Sequence, residues 1–160
     1  MHKLVFAVLM IVVWWMLQAL QMDEEVAIGT LHEGKRAVDR AVHAAAQQTD
    51  RAKLELGILS IEPAQARAVA DLYLQQNLRL NTDFSPRDDA FLRESVQIEV
   101  FEVINETETF PYTYRNARYD YEVTLDRPGV VMIAHLKYPR TFGVLAPVEW
   151  DLKGAAEMVY

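Results

Sequence analysis

HKLVFAVLMIVVWWMLQALQMDEE, residues 2–25, decides how the rest of the chain is read. No charge interrupts it between Leu4 and Met22, a run of 19 residues. At about 1.5 Å rise per residue a helix of that length spans roughly 28 Å, close to a hydrocarbon core of about 30 Å. Lys3 stands before the run, and Asp23, Glu24 and Glu25 stand directly after it. The positive-inside bias therefore puts the N-terminus in the cytoplasm and residues 23–160 outside. A cleaved secretory signal has the same outline. However, Gln18-Ala19-Leu20 and Leu20-Gln21-Met22 make poor cleavage sites, and the apolar core is long for a signal. Residues 1–22 are expected to be an uncleaved signal anchor.

Helical patterning continues past Met22. No proline occurs before Pro63, and Ala27, Leu31, Gly34, Val38, Ala41 and Ala45 recur in steps of four and three, the spacing of a narrow apolar seam. Glu25, Glu33, Lys35, Arg36, Asp39 and Arg40 lie away from that seam. Residues 3–53 thus read as one rod, roughly 75 Å long if straight, with a greasy first half and a striped second half. Ala41 to Ala46 is rich in alanine, which would let a partner backbone approach closely. The alternative is a helix that packs its stripe on its own domain.

Beyond residue 53, Leu54 to Ile61 alternates like a short strand, and Pro63 suits the first position of a second helix ending near Asn81. That helix would turn Ala66, Val69, Ala70, Leu72, Tyr73, Leu74, Leu78 and Leu80 inward. Turn-forming residues fill 81–89. From Ser95 the period becomes two, with Phe101 breaking phase as at a bulge. Further strands are expected over Arg118–Leu125, Val130–Tyr138 (closed by Pro139) and Val148–Val159. Asp126-Arg127-Pro128-Gly129 reads as the turn of a hairpin between the first two of these. The fold class is therefore α+β: a transmembrane helix extended as a long amphipathic helix, a second helix, and a C-terminal antiparallel sheet. Its divisions are 1–22 (anchor), 23–53 (helical extension) and 54–160 (extracytoplasmic domain).

Composition excludes several chemistries. The chain has 160 residues, a net charge of −7 and no cysteine. An acidic chain lacks the clustered cations that bind nucleic acid, and without cysteine there are no disulfides, thiolate metal sites or thiol catalysis. No phosphate loop, nucleophile elbow or HExxH motif occurs. His32 and His43 are too far apart along a helix to share a metal, and His135 is expected on a strand surface. Asp83, Asp88 and Asp89 lack EF-hand spacing. Capping suits such residues better: Asp88 or Asp89 can cap a short helical turn at Ala90-Phe91-Leu92. Asn105-Glu106-Thr107 matches the glycosylation sequon. Tyr112, Tyr114, Arg115, Tyr119 and Tyr121 form a candidate ligand surface, with cross-strand packing as the competing explanation. No enzyme activity and no cofactor are expected.

The layout resembles the minor pilins and pseudopilins of Tad-type (Flp) pilus systems, the TadE/TadG-like proteins. The resemblance rests on the membrane helix, on its extension Arg36-Ala37-Val38-Asp39-Arg40-Ala41-Val42-His43-Ala44-Ala45-Ala46, and on the C-terminal strands. The last of these are Val131-Met132-Ile133-Ala134-His135-Leu136-Lys137-Tyr138-Pro139, then Phe142-Gly143-Val144-Leu145, then a strand through Ala155-Ala156. It implies a structural component of a pilus or type II secretion-like filament. Its partners would be the lipid bilayer and other pilin-like or assembly-platform membrane proteins, met through the seam. The chain departs from such pilins in one respect: no Gly precedes the apolar run and no Glu lies within it, so a prepilin-peptidase site is missing. An anchored binding or sensor module, using the tyrosine-rich sheet or the 81–92 loop, is the alternative function.

Overall fold

The computed structural model describes residues 2–138, 140 and 146–159. Pro139, the expected strand end, and the stretch Phe142-Gly143-Val144-Leu145 lie outside the described residues. Eight elements follow in order: helices α1 (His2–Ala46), α2 (Arg51–Glu55) and α3 (Pro63–Leu78), then strands β1 (Gln97–Ile104), β2 (Tyr112–Asn116), β3 (Tyr121–Leu125), β4 (Gly129–Tyr138) and β5 (Val148–Glu157). The α+β architecture expected from the sequence is present.

α1 is a single helix of 45 residues. It stops seven residues short of the expected end at Lys53. Thr49 forms an isolated bridge with Ile61, and Asp50 caps α2, its carboxylate accepting from the Lys53 amide at 3.2 Å. A side chain that can cap in an extended conformation competes with helix continuation, and here the cap wins. The expected strand over 54–61 is likewise absent. Its first residues finish α2, Gly57 turns the chain with φ 77°, and only Ile61 pairs. Pro63 does begin α3, which ends in the left-handed residue Arg79 (φ 55°). Its buried stripe is Ala66, Ala70, Leu74 and Leu78, while Leu72 and Tyr73 are exposed. Ala90-Phe91-Leu92 forms no helical turn.

The main sheet has the order β1-β4-β5, both pairings antiparallel. Even-numbered residues of β4 (Val130, Met132, Ala134, Leu136) face α1 and α3, and Val131 faces the other way. In β1 the register shifts between Ile98 and Val100. The shift leaves Glu99 as the extra residue and moves the helix-facing positions from Val96 and Ile98 to Phe101 and Val103. The phase break read at Phe101 is thus this bulge, one turn of the pleat earlier.

β2 and β3 form a separate two-stranded sheet on the opposite face of β1-β4-β5, sharing a small core of Ile104, Tyr114, Leu125 and Val131. The expected hairpin between β3 and β4 does not form. Both edges of β4 are occupied, so β3 pairs instead with β2, a strand without a clear signal in the sequence. Residues 126–128 step between sheets, held by the Asp126 amide donating to Glu157 at 2.6 Å and the Met158 amide donating to Pro128 at 2.8 Å.

The second half of α1 lies against β4 and β5 with α3 beside it. Two glycines set the approach. A Cβ at Gly34 would stand 2.7 Å from Leu152 Cδ1 and 2.9 Å from Leu136 Cδ2. One at Gly154 would stand 2.8 Å from Val38 Cγ1. The leucine ends can swing, and alanine in a helix gains up to about 1 kcal/mol over glycine. Val38 is β-branched, stiff and fully buried. We therefore expect Gly154→Ala to cost about 1–3 kcal/mol of overpacking and Gly34→Ala markedly less. Denaturation of the full chain in detergent micelles measures both, and equal costs would refute the ranking.

Candidate functional site

Helix α1 presents two unlike surfaces. Its apolar first half is long and apolar enough to cross a membrane, and none of it is buried by the chain. Leu4 through Leu17 are exposed, with Trp14 and Trp15 meeting edge to face at 6.1 Å between ring centres. The second half is buried along one side from Asp23 to Ala46. No break separates the halves, because Met22 and Asp23 lie within the same continuous helix.

Asp23 marks the junction. It is only 2% exposed, and its carboxylate meets Arg140 Nη1 at 3.1 Å. The same guanidinium stands 3.6 Å from Glu24, and its Nε donates to the Ala146 carbonyl at 3.2 Å. Arg140 follows β4, so the clamp fastens the β4–β5 end of the domain to the first helical turn beyond the apolar run. A bidentate-capable, permanently charged guanidinium suits a carboxylate withdrawn from water.

The seam expected to meet a partner is filled from within. Ala27, Gly34, Val38, Ala41 and Ala45 are buried, and Leu31 is half-buried against the same core. Their neighbours are the chain's own sheet and α3, so the alternative of a helix packed on its own domain describes this stripe. A short apolar seam has the same spacing whichever surface covers it, which is why sequence could not choose.

The tyrosine set is not brought together as one surface. Tyr114 is 5% exposed and its ring lies 6.5 Å from that of Tyr121, on the inner face of the β2–β3 hairpin, where Tyr112 also packs. Its hydroxyl donates to Glu102 at 3.3 Å and accepts from Asn116 at 3.2 Å. Burial raises the Tyr114 and Tyr121 hydroxyls above the usual tyrosine range. Arg115 sits on the outer face, paired with Glu122 at 2.9 Å. Tyr119 lies apart, beneath the Arg118 guanidinium and donating to Glu99 at 2.9 Å. Cross-strand packing accounts for most of the set.

Tyr119 borders a small polar cleft of about 320 Å³ with Gln97, Glu99, Arg118, His135 and Asp151. His135 Nδ1 stands 2.8 Å from Asp151. His135 is half-buried rather than fully on the surface. No sequence signal pointed to this cleft, since its residues come from β1, the β2–β3 turn, β4 and β5. In the 81–92 loop, Asp83 accepts from the Ser85 amide at 3.1 Å and its hydroxyl at 2.6 Å, and these bonds hold its carboxyl below the usual range. Among the described residues no group of three or more His, Asp or Glu is placed to hold a metal.

Asn105, read as part of a sequon, has a structural task. Its amide accepts from Ile61 N at 2.8 Å and donates to Ile61 O at 2.9 Å, imitating a strand neighbour. The adjacent Glu106 meets Lys53 at 2.6 Å. No family model, curated protein or solved structure matches the chain.

Two outcomes follow. Arg140→Met removes the guanidinium facing a buried carboxylate and should cost about 3 kcal/mol, most of it recovered in the Asp23→Leu/Arg140→Met double change. Denaturation in micelles measures the cycle, and additive losses would show that the pair is not coupled. For Glu106, the Lys53 hydrogen bond lowers the carboxyl's folded pKa, and its partner's is raised. Stability from Glu106 is thus present above the ordinary glutamate range and lost as pH falls through the depressed value. The wild-type chain should lose more stability than Lys53→Met on acidification from pH 6 to pH 3, and parallel curves would count against the link.

Proposed function

We propose that this chain is a membrane-anchored structural component of a pilus or type II secretion-like filament assembly, minor-pilin-like in plan. Its N-terminus is cytoplasmic, and residues 23–160 lie outside the membrane. The observation that carries this reading is the unbroken passage of α1 from an exposed apolar half into a half packed on the domain's own sheet. A hinge would suit a tethered sensor. A rigid stalk suits a subunit that must hold its domain at a set height and angle while its apolar half packs among lipids or neighbouring helices.

Catalysis has no part in this proposal. The seam from Ala27 to Ala45 serves here to weld the domain to the stalk, so lateral partners meet the uncovered sides of α1. The anchored binding module is the rival, and the cleft beside Tyr119 is its best support. The two readings part over rigidity. Met22→Pro places a kink at an exposed position of the junction, because the ring clashes with the carbonyl four residues back and removes a hydrogen bond. A filament subunit should keep its membrane retention and folded domain but fall out of the assembly. Normal incorporation of Met22→Pro into filaments would overturn the proposal, and a sensor domain would tolerate the kink.

A further inference from the structure

The first half of α1 carries two polar side chains, Gln18 and Gln21, in an otherwise apolar run. Both are exposed, and neither side chain has a hydrogen bond to the described residues. At 100° per residue they share one side of the helix with Ile11 and Trp14, in steps of three, four and three. That side lies opposite the one that buries Asp23, Ala27, Gly34 and Ala41. Among the described residues this side is exposed along the helix, from Ile11 to His43.

Placement in lipid makes the two amides significant. Helical side chains lean toward the helix N-terminus. Gln18, about one turn inside the boundary set by Asp23, thus leans deeper into the hydrocarbon and away from the nearer water. A carboxamide in lipid needs a partner, and it offers both a donor and an acceptor. A second carboxamide is its full complement, and an identical helix supplies one at the same depth. Just beyond the boundary, Gly29 stands on the same side, and a Cβ there would meet nothing within 4 Å. Among the described residues nothing requires this glycine, which weakens an exposed helix, yet its bare backbone gives a second helix room. Glu25 lies between, at a level where water and salt screen it from its mate.

We infer that the Ile11–Trp14–Gln18–Gln21 side of α1 is a self-association surface, on which a second copy of this chain docks in parallel through paired glutamine amides in the membrane. The inference rests on the membrane-spanning reading of α1 and goes beyond the filament proposal, since it needs no other assembly component.

Because the chain has no cysteine, single cysteines report cleanly. The full chain, purified and reconstituted in phosphatidylcholine vesicles at low protein-to-lipid ratio, is oxidised with copper–phenanthroline. Gly29→Cys should give a disulfide-linked dimer, and Val26→Cys, exposed but about 60° round the helix from Gly29 and about 140° from Gln21, should give less. Adding Gln18→Leu and Gln21→Leu should reduce the Gly29→Cys dimer roughly tenfold, the scale of interhelical hydrogen bonds in lipid. These leucines favour insertion, so a lost dimer would not reflect a lost helix. Equal cross-linking at residues 26 and 29, or a dimer unchanged by the leucines, overturns the inference, as does a monomer throughout, which leaves the stripe to lipid or to another helix. Carbonate extraction of the vesicles separates this from failure of the membrane reading: an extractable chain sinks both, while an inserted monomer sinks only the dimer.

Discussion

The close approach of α1 to β4 and β5 governs the rest of the molecule. A three-stranded sheet has a wide apolar face, and here Val130, Met132, Ala134 and Leu136 present it. α1 and α3 cover that face together with Ile61, Leu80 and Leu92, and α1 does so through alanine, glycine and valine. Gly34 and Gly154 remove the two Cβ atoms that would hold the layers apart. With no disulfide to fasten the domain, its stability depends on this dry contact. The helix is thus both the domain's lid and its stalk, since residues from Ala37 to Ala46 of α1 are part of the domain's core.

The coupling has a direct consequence where the two halves of α1 meet. α1 runs through Met22 without a break, from its exposed apolar half into the half packed on the domain. The buried Asp23–Arg140 pair strengthens that corner, tying the β4–β5 end to the first turn outside the apolar run. The domain is held beside the second half of α1, next to the end of the apolar run. One flank of the second half of α1 is covered by the domain, and among the described residues the opposite flank is exposed.

Much of the fold was legible because its signals were local. Nineteen uncharged residues can hardly be read as anything but a long apolar helix; Pro63 starts α3 where its missing amide proton costs nothing; the run from Val130 to Ile133 is buried in the sheet's central strand. The failures share a cause. Thr49 and Asp50 end α1 because Ile61 and the Lys53 amide are near in space. The turn at Asp126–Gly129 resembles a hairpin turn until β1 and β5 take both edges of β4. β2 escaped notice because its tyrosines are packed only once β3 and the back of the sheet are in place. At the candidate site, the membrane run was plain, but the Arg140 clamp joins residues 117 positions apart.

By itself, the sequence determined the apolar helix, its amphipathic continuation, the α+β class and the absence of thiol chemistry, because each follows from composition or from a period of 3.6 or 2 along a short stretch. Only the tertiary structure decided what each face touches. Periodicity fixes which residues lie on one side of a helix, and says nothing of whether a neighbouring chain or the protein's own sheet will cover them. Here the sheet took the alanine seam. It left the opposite side, with its two glutamines, as the surface still open to a partner.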